Sequence, residues 1–446
     1  MDLANKISNV CLAKFDNLPK TGKPKEGFEW TILSAIVKVE LCTSLQKIDV
    51  VALGTGTKCL GSSELSAKGD ALNDSHAEIM ARRGFLRYLM NEMNLCLSDR
   101  SHIFKYEKKA RKFILEQNIS FHFFTTHSPC GDASIYEQAD EPEKDGPSTK
   151  RVRLMSDASN IGSTMRDRTQ GMTGGKLLQC SGSDLMAQDT GMVRTKPGKG
   201  VRTLSVSCSD KMARWNILGI QGSLLMSLLE EPIYLESIIV ADGTDYSKDA
   251  LERALWRRWE TVLNQDVLLK PFRLHKPNVL AATDGGFFPF RKISKSNDSN
   301  KIQPSPGGIV WCAGLVERPL EVEIGGRRQG VIKKKLGTPA ARLKISKIEL
   351  FSTFISLRNA MWLNDCDGTR NADEIMNSLR AEDYSQESAA FGDGSSSIVN
   401  RRISLRYADA KKLCRVYHDQ WNILRAKVFC VWSEKPSHLL DFTIDS

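Results

Sequence analysis

Two apolar stretches near the N-terminus, residues 30–41 and 48–53, read as strands, and the second ends in Gly54-Thr55-Gly56-Thr57-Lys58. That run is a strand-terminating turn on this reading, because the full phosphate-loop and dinucleotide patterns are missing. The period then changes. Asn73, Asp74 and Ser75 are good helix caps, and Ile79, Leu86, Leu89, Met90 and Met93 follow at helical spacing. A helix is expected there, with His76 in its first turn and Glu78 two residues on. Residues 119–126 alternate and are rich in Phe, the pattern of a strand. They run into Ser128-Pro129-Cys130, where a second helix is expected to start at the cysteine.

Downstream, residues 211–218 predict a helix that 224–229 extend, 234–241 a strand, 248–263 an amphipathic helix, and 401–431 a basic helical region, with a loop at 292–308. Two stretches carry no period: 137–200, first acidic and then rich in Ser, Thr, Gly, Met and Asp, and 382–400. Both are expected to be irregular insertions in one domain spanning 1–446. Strands alternating with helices predict an α/β fold. No internal repeat is present.

Composition narrows the setting. A chain of 446 residues, 41% hydrophobic, can bury a sizeable core, and it holds no run of roughly 20 apolar residues that would span a bilayer. The first residues, Met1-Asp2-Leu3-Ala4-Asn5-Lys6, lack the apolar stretch of a secretory signal. Eleven cysteines, an odd count at irregular spacing, then point to reduced thiols in a cytoplasmic or nuclear setting. A formal charge of +10 and a pI near 9.0 favour a polyanionic partner, nucleic acid first. A monomer is the working expectation.

The candidate chemistry sits in three short segments: Asn73-Asp74-Ser75-His76-Ala77-Glu78, Ser128-Pro129-Cys130-Gly131-Asp132 and Ser207-Cys208-Ser209-Asp210-Lys211. They offer one imidazole, two thiols and one free carboxylate. Three protein ligands with an open fourth position, and a Glu that moves protons without binding metal, are the inventory of a zinc deaminase. A histidine at a helix start is more often a cap, and a buried cysteine is common in any core. Together, H-A-E in a capped helix and S-P-C-G-D at a strand end are far more specific. Cys130 has no second cysteine three residues on, so the third ligand would be Cys208, separated from it by 77 residues, with Cys180 a competing thiol.

Residues 207–222, Ser-Cys-Ser-Asp-Lys-Met-Ala-Arg-Trp-Asn-Ile-Leu-Gly-Ile-Gln-Gly, closely resemble the third-ligand segment of the adenosine deaminases that act on RNA. Residues 73–83 resemble their first motif, 128–133 their second, and Trp432-Ser433-Glu434-Lys435-Pro436 their C-terminal signature. The resemblance covers nearly the whole chain outside the insertions. It implies a cytidine-deaminase-like three-layer fold, a mixed central sheet flanked by helices with an extended C-terminal region. It also implies one zinc ion on His76, Cys130 and Cys208, Glu78 as proton shuttle, and hydrolysis of adenosine to inosine.

Within the family this chain looks like the tRNA-acting branch. Ser134 follows Pro129-Cys130-Gly131-Asp132-Ala133 where duplex editors typically carry Arg, and only 11 residues separate Lys196 from Cys208, too few for their base-flipping loop. The implied substrate is tRNA, at position 37 of alanine tRNA. A duplex-RNA editor and a catalytically silent RNA-binding scaffold are the rivals. The resemblance further implies an enclosed inositol hexakisphosphate, lined by Arg82, Arg83, Ser205, Lys211, Arg214, Trp215, Gln221, Lys347, Lys411, Tyr417, Trp432 and Lys435, with Trp421 standing where the family has another Lys. Asp74 and Lys211 would then link zinc site to polyphosphate. Residues 327–347 carry eight cations and no acid, and Lys333, Lys334 and Lys335 among them, with Lys58, are candidates for the tRNA backbone.

Overall fold

The structure, a computed structural model, describes residues 2–42, 45–136, 175–177, 189–197, 203–263, 266–292, 302–365 and 405–444. Its frame is an eight-stranded mixed sheet. In chain order the strands are β1 (Leu33–Cys42), β2 (Leu45–Thr55), β3 (Ile119–Thr125), β4 (Leu235–Val240), β5 (Asn278–Ala281), β6 (Gly307–Cys312), β7 (Leu320–Ile324) and β8 (Arg327–Arg328). Across the sheet they run 5-4-3-1-2-6-7-8, with β3, β4 and β5 parallel and every other neighbouring pair antiparallel. The central strands are apolar on both sides, as a sheet covered on both faces requires.

One face packs on the first helix, α1 (Leu3–Asp16), whose Ile7, Cys11 and Phe15 meet Leu33, Ala35, Val37, Leu53 and Phe124. The other face carries α2 (Ala77–Cys96), α3 (Cys208–Leu218), α4 (Lys248–Leu255) and α5 (Lys347–Asp365), around Ile36, Val51, Ala52, Phe121 and Phe123. A last helix, α6 (Arg415–Lys427), lies against α3 and closes a smaller cluster with Phe429 and Trp432. The result is a three-layer α/β arrangement with a C-terminal extension. Among the described residues no helix is long and apolar enough to cross a membrane.

Several elements differ from the sequence expectation. No helix starts at Cys130: only one 3-10 turn, Asp132–Ser134, follows it, because Gly131 takes φ 107° and breaks the helical path. The expected 248–263 helix stops at Leu255, and Trp256 (φ −149°) leads into a separate 3-10 turn, Arg257–Trp259. Likewise α3 ends at Gly219, φ 79°, so Gly222–Met226 is a distinct short helix. The 292–308 loop contains Gln303–Pro304, paired parallel with Glu29–Trp30, and its end already belongs to β6. The 382–400 stretch lies outside the described residues, as does most of 137–200. Within the latter, Arg194–Thr195 pairs antiparallel with Lys176–Leu177, and Arg194, Thr195 and Lys196 are buried.

The turn after β2 seats α2. A Cβ on Gly54 would lie 2.5 Å from the Ala81 nitrogen and 2.5 Å from Met80 Cβ, and one on Gly56 (φ 139°) would lie 2.2 Å from the Ser75 carbonyl oxygen. Backbone-to-backbone approach this close fixes the helix start, and with it His76 and Glu78, against the sheet. Gly54→Ala should therefore destabilise the protein by about 1–3 kcal/mol. Urea unfolding measures this, and an unchanged midpoint would mean that α2 does not rest on this glycine.

Candidate active site

His76 is the N-cap of α2, at the end of the short strand Asp74–His76, one step earlier than the first helical turn. Cys208 is the first residue of α3, whose N-cap Ser207 accepts a hydrogen bond from the Asp210 amide. Cys130 lies in the loop after β3. Two of the three side chains thus stand at helix starts, where the positive end of the dipole favours an anionic ligand. Gly131 lets the loop close on α3: a Cβ there would lie 2.2 Å from Ser207 Oγ and 2.5 Å from Ser209 Oγ.

These residues converge. The ligand-capable atoms of His76, Cys130 and Cys208 all lie within 4.8 Å of one another. His76 Nδ1 is 3.8 Å from Cys130 Sγ and 3.7 Å from Cys208 Sγ, and the Cys208 amide donates to Cys130 Sγ at 3.3 Å. Cys208 is fully buried while His76 and Cys130 keep partial exposure, so the cluster opens to one side. The Cys208 thiol donates to Cys130 and holds its pKa well below the ordinary cysteine value, with Lys196 and His76 assisting; burial and the neighbouring thiolate push Cys208 well above it. An N, S, S donor set with an open side fits a tetrahedral, borderline-soft cation. Cys180 lies outside the described residues.

Glu78 sits beside the cluster, 1% exposed, and its Oε2 is buried with no hydrogen-bond partner. Burial raises its pKa, Cys130 adds to the rise, and His76 and Lys196 oppose it. A carboxyl kept within reach of a metal cluster, with one oxygen unspent, is free to exchange protons with a bound molecule.

Behind the cluster lies an ionic bridge. Lys196 donates to Cys208 Sγ at 3.0 Å and to Asp74 Oδ1 at 2.8 Å, while Lys211 donates to Asp74 Oδ2. Burial opposes ionisation of Asp74, but the two lysines outweigh it and hold its carboxyl far below the usual range. Lys196, fully buried, is likewise held charged by Asp74 and the two sulfurs. The sequence reading missed Lys196 because it falls inside the irregular 137–200 stretch. The apolar flank Val193, with Val206 bridging to Thr195, was the only local signal.

A second missed residue is Arg258. Its guanidinium joins Asp210 at one end and lies 4.0 Å from Asp132 Oδ2 at the other. Each aspartate is two residues past a cysteine of the cluster, and both are fully buried. Arg253 adds a contact to Asp132 Oδ2 at 3.1 Å, and the Arg194 amide one to Asp210 Oδ2 at 2.9 Å. One cation thus ties the Cys130 loop to the start of α3.

On the far side of Asp74 lies a cavity of about 460 Å³, and all twelve side chains named for the polyphosphate line it, together with Tyr407, Trp421 and Arg425. Seven of the twelve are Lys or Arg; Asp74 and Glu434 are the acids of the lining. Burial and the neighbouring cations push Lys347 down to about 6, and Lys411 and Lys435 down to about 8. Arg83 Nη2, Arg214 Nε and Lys347 Nζ are buried without partners. Uncompensated cations at this density cost several kcal/mol each unless an anion is present. Gln221 contributes differently: its amide already serves the Leu218 and Ile233 backbone. Trp421 stacks under Arg214 at 3.6 Å.

Lys58 is half-buried on the strand Thr57–Cys59, opposite Ser75 and next to the residue facing His76. Lys333, Lys334 and Lys335 form an exposed 3-10 turn. The surrounding basic run is only partly solvated: Arg327 pairs with Asp70 at 2.9 Å, and Lys344 with Glu317 at 2.9 Å and Glu349 at 3.2 Å.

Removing the Arg258 tie loosens the hold between the two cysteine segments, which keep the backbone contact from the Ser209 amide to the Cys130 carbonyl. Arg258→Leu should weaken metal affinity by ~10–100-fold, the range for residues that orient ligands without touching metal. Competition with a chelator measures it, and wild-type affinity would show that the cysteines are positioned without this contact.

The adenosine-deaminase (editase) domain matches residues 52–436. Over 437 residues, 98% of this chain and 96% of the relative, the sequence is 37% identical to tRNA-specific adenosine deaminase 1 of Drosophila melanogaster. It is 31% identical to the Homo sapiens protein of the same name, over 97% of this chain and 98% of that one. Double-stranded RNA-specific editase Adar of Drosophila melanogaster is 29% identical over 74% of this chain and 50% of its own length. A match covering most of the chain, on a fold that brings together the imidazole, the two sulfurs and the spare carboxyl, makes this chain a member of the adenosine-deaminase (editase) domain family.

Proposed function

We propose that this chain catalyses zinc-dependent hydrolytic deamination of adenosine to inosine in tRNA, with position 37 of alanine tRNA as its site, on a cytidine-deaminase-like fold. The observation that carries the chemistry is the partnerless Glu78 Oε2 beside a His-Cys-Cys cluster open on one side. The printed names of the relatives that match nearly end to end support tRNA as substrate. His76, Cys130 and Cys208 hold the zinc, which when bound supplies a Lewis acid that lowers the pKa of water to about 7 and so provides a nucleophile at neutral pH.

The protein's own part is proton handling and exclusion of bulk water. Glu78 takes a proton from the attacking water at its free Oε2 and delivers it to the ring nitrogen adjoining the attacked carbon, which makes that carbon electrophilic. It then takes the proton of the new C–OH group, whose oxygen becomes the carbonyl of inosine, and passes it to the exocyclic nitrogen as the C–N bond breaks and ammonia departs. Burial, by raising the Glu78 pKa, suits a carboxyl that must both accept and return a proton near neutrality. An adenosine in an unpaired loop enters such a pocket at lower cost than one in a duplex.

The cationic cavity fits inositol hexakisphosphate, a compact ligand with many phosphates, and Asp74 with Lys196 and Lys211 joins it to the cysteine side of the cluster. Lys58 and the Lys333–Lys335 turn are assigned to the tRNA backbone. The duplex-editor reading would be favoured by inosine in long duplexes and none in folded tRNA. The silent-scaffold reading would be favoured by zinc without turnover on any RNA.

Two predictions test this reading. On folded alanine tRNA, other tRNAs and a long duplex, inosine should form only at position 37 of alanine tRNA. Glu78→Gln should cut the rate by about 10²–10⁴-fold with zinc content unchanged; a variant of wild-type rate would remove Glu78 as shuttle. The second concerns pH. Lys347, Lys411 and Lys435 have folded pKa values below their unfolded ones, so unfolding takes up protons between about 6 and the ordinary lysine range, and anion-free protein should gain stability as pH rises through that window. A polyphosphate needs those groups charged, so its binding should take up protons and weaken from pH 6 to pH 9. Calorimetry in buffers of differing ionisation enthalpy reads the uptake directly; pH-independent affinity would mean these lysines do not face the anion.

A further inference from the structure

At the end of the sheet where the metal-ligating cluster lies, two large aromatic side chains stand in solvent: Phe28 is 68% exposed and Phe287 61%. Neither packs into the core clusters. The segment carrying Phe287 also carries two cations, each set over an aromatic ring. Arg291 lies 4.5 Å from the Phe287 centroid, and Lys292 lies 5.7 Å from that of the half-buried Trp30. Among the described residues neither cation forms an ion pair, and Asp242 and Asp245 in the adjacent turn are not paired with them. Arg291 gives one N–H to the Gly243 carbonyl at 2.6 Å, which fixes the guanidinium without neutralising it.

Backbone hydrogen bonds place this patch beside the cluster. The Thr31 amide donates to the Phe290 carbonyl at 2.9 Å, the Gly56 amide to Ile32 at 3.3 Å, and the Ala77 amide to Gly56 at 3.0 Å, the last contact adjoining His76. On the other flank, Thr244 Oγ1 donates to the Thr126 carbonyl at 3.1 Å and Ser128 Oγ to that of Asp245 at 3.2 Å, two residues before Cys130. The Phe28–Trp30 and Phe287–Lys292 segments are therefore tied to each other and, by short hydrogen-bonded steps, to the segments that carry His76 and Cys130.

We propose that Phe28, Trp30, Phe287, Arg291 and Lys292 form a stacking rim that holds the unpaired nucleotides flanking the target adenosine. The inference rests on the tRNA reading above and adds to it the part of the RNA that is gripped. Exposed aromatic faces with cations held over them match single-stranded nucleic acid, whose bases present π-faces and whose backbone supplies the anions. The rim selects for a loop over a duplex, because paired bases have no free face to offer. It does not select the base itself.

Fluorescence anisotropy with the anticodon stem-loop of alanine tRNA tests this, using the full chain. Phe28→Ala and Phe287→Ala should each weaken binding by about tenfold, raise KM and leave kcat at saturation unchanged. Lys292→Gln should lower the salt dependence by about one phosphate. Leu363→Ala, an equally exposed apolar position on α5, should change nothing. In a stem-loop made abasic on both sides of the target, wild-type protein should lose the affinity that the phenylalanine variants have already lost, and those variants should lose no more. Wild-type affinity in the double phenylalanine variant overturns the rim while inosine formation by the parent protein keeps the deaminase reading. A parent protein that neither binds nor deaminates tRNA overturns both. Because both side chains lie mostly in solvent, the variants should melt with the parent.

Discussion

The ionic bridge from Lys211 through Asp74 to Lys196 and the Cys208 sulfur is the contact on which the rest of the molecule leans. There the cysteine cluster, the start of α2 and the cationic cavity meet. Asp74 also accepts from the His76 amide, so the same carboxylate that neutralises two lysines orients the residue carrying the imidazole. Loss of that carboxylate would strand a fully buried lysine beside a sulfur, an uncompensated charge worth several kcal/mol. Electrostatics here is architecture, and it joins two compartments that the hydrophobic core alone would leave independent.

The cavity pushes the same logic further. Its lining brings together cations from α2, α3, α5 and the C-terminal segment, elements far apart in the chain. Apolar burial can bring such elements together only if the charge between them is met. The depressed lysine pKa values measure how badly it goes unmet without an anion. The aromatic residues soften this in part: Arg82 lies over Trp215, and Arg214 over Trp421.

Elements with a strong period were legible in the sequence. The helix carrying Glu78 announced itself through Ile79, Leu86, Leu89, Met90 and Met93, and the Phe-rich strand through its alternation. The segment around Cys130 misled, because a left-handed glycine leaves no periodic trace and the prolyl-cysteine pair reads equally well as a helix start. Lys196 was hidden for another reason. It follows a strand of two residues embedded in polar, aperiodic chain, and only the tertiary approach of Asp74 gives it meaning. Arg258 falls where a regular amphipathic helix was expected, and its break at Trp256 is what turns the guanidinium inward. The cavity residues were nameable only by family resemblance, since no local pattern distinguishes a buried cation that awaits an anion from one on the surface.

The first helix and the first strand lie outside the span matched by the editase domain, which begins at residue 52, within β2. Yet β1 lies in the middle of the sheet, between β3 and β2, and α1 covers the face formed by Leu33, Ala35, Val37, Leu53 and Phe124. Asn5 even reaches across to accept from the Thr283 and Asp284 amides. A polypeptide cut where the domain match starts would lose its central strand and bare the side of the sheet that α1 shields. The span that carries the metal-capable cluster is thus smaller than the span that completes the sheet around it.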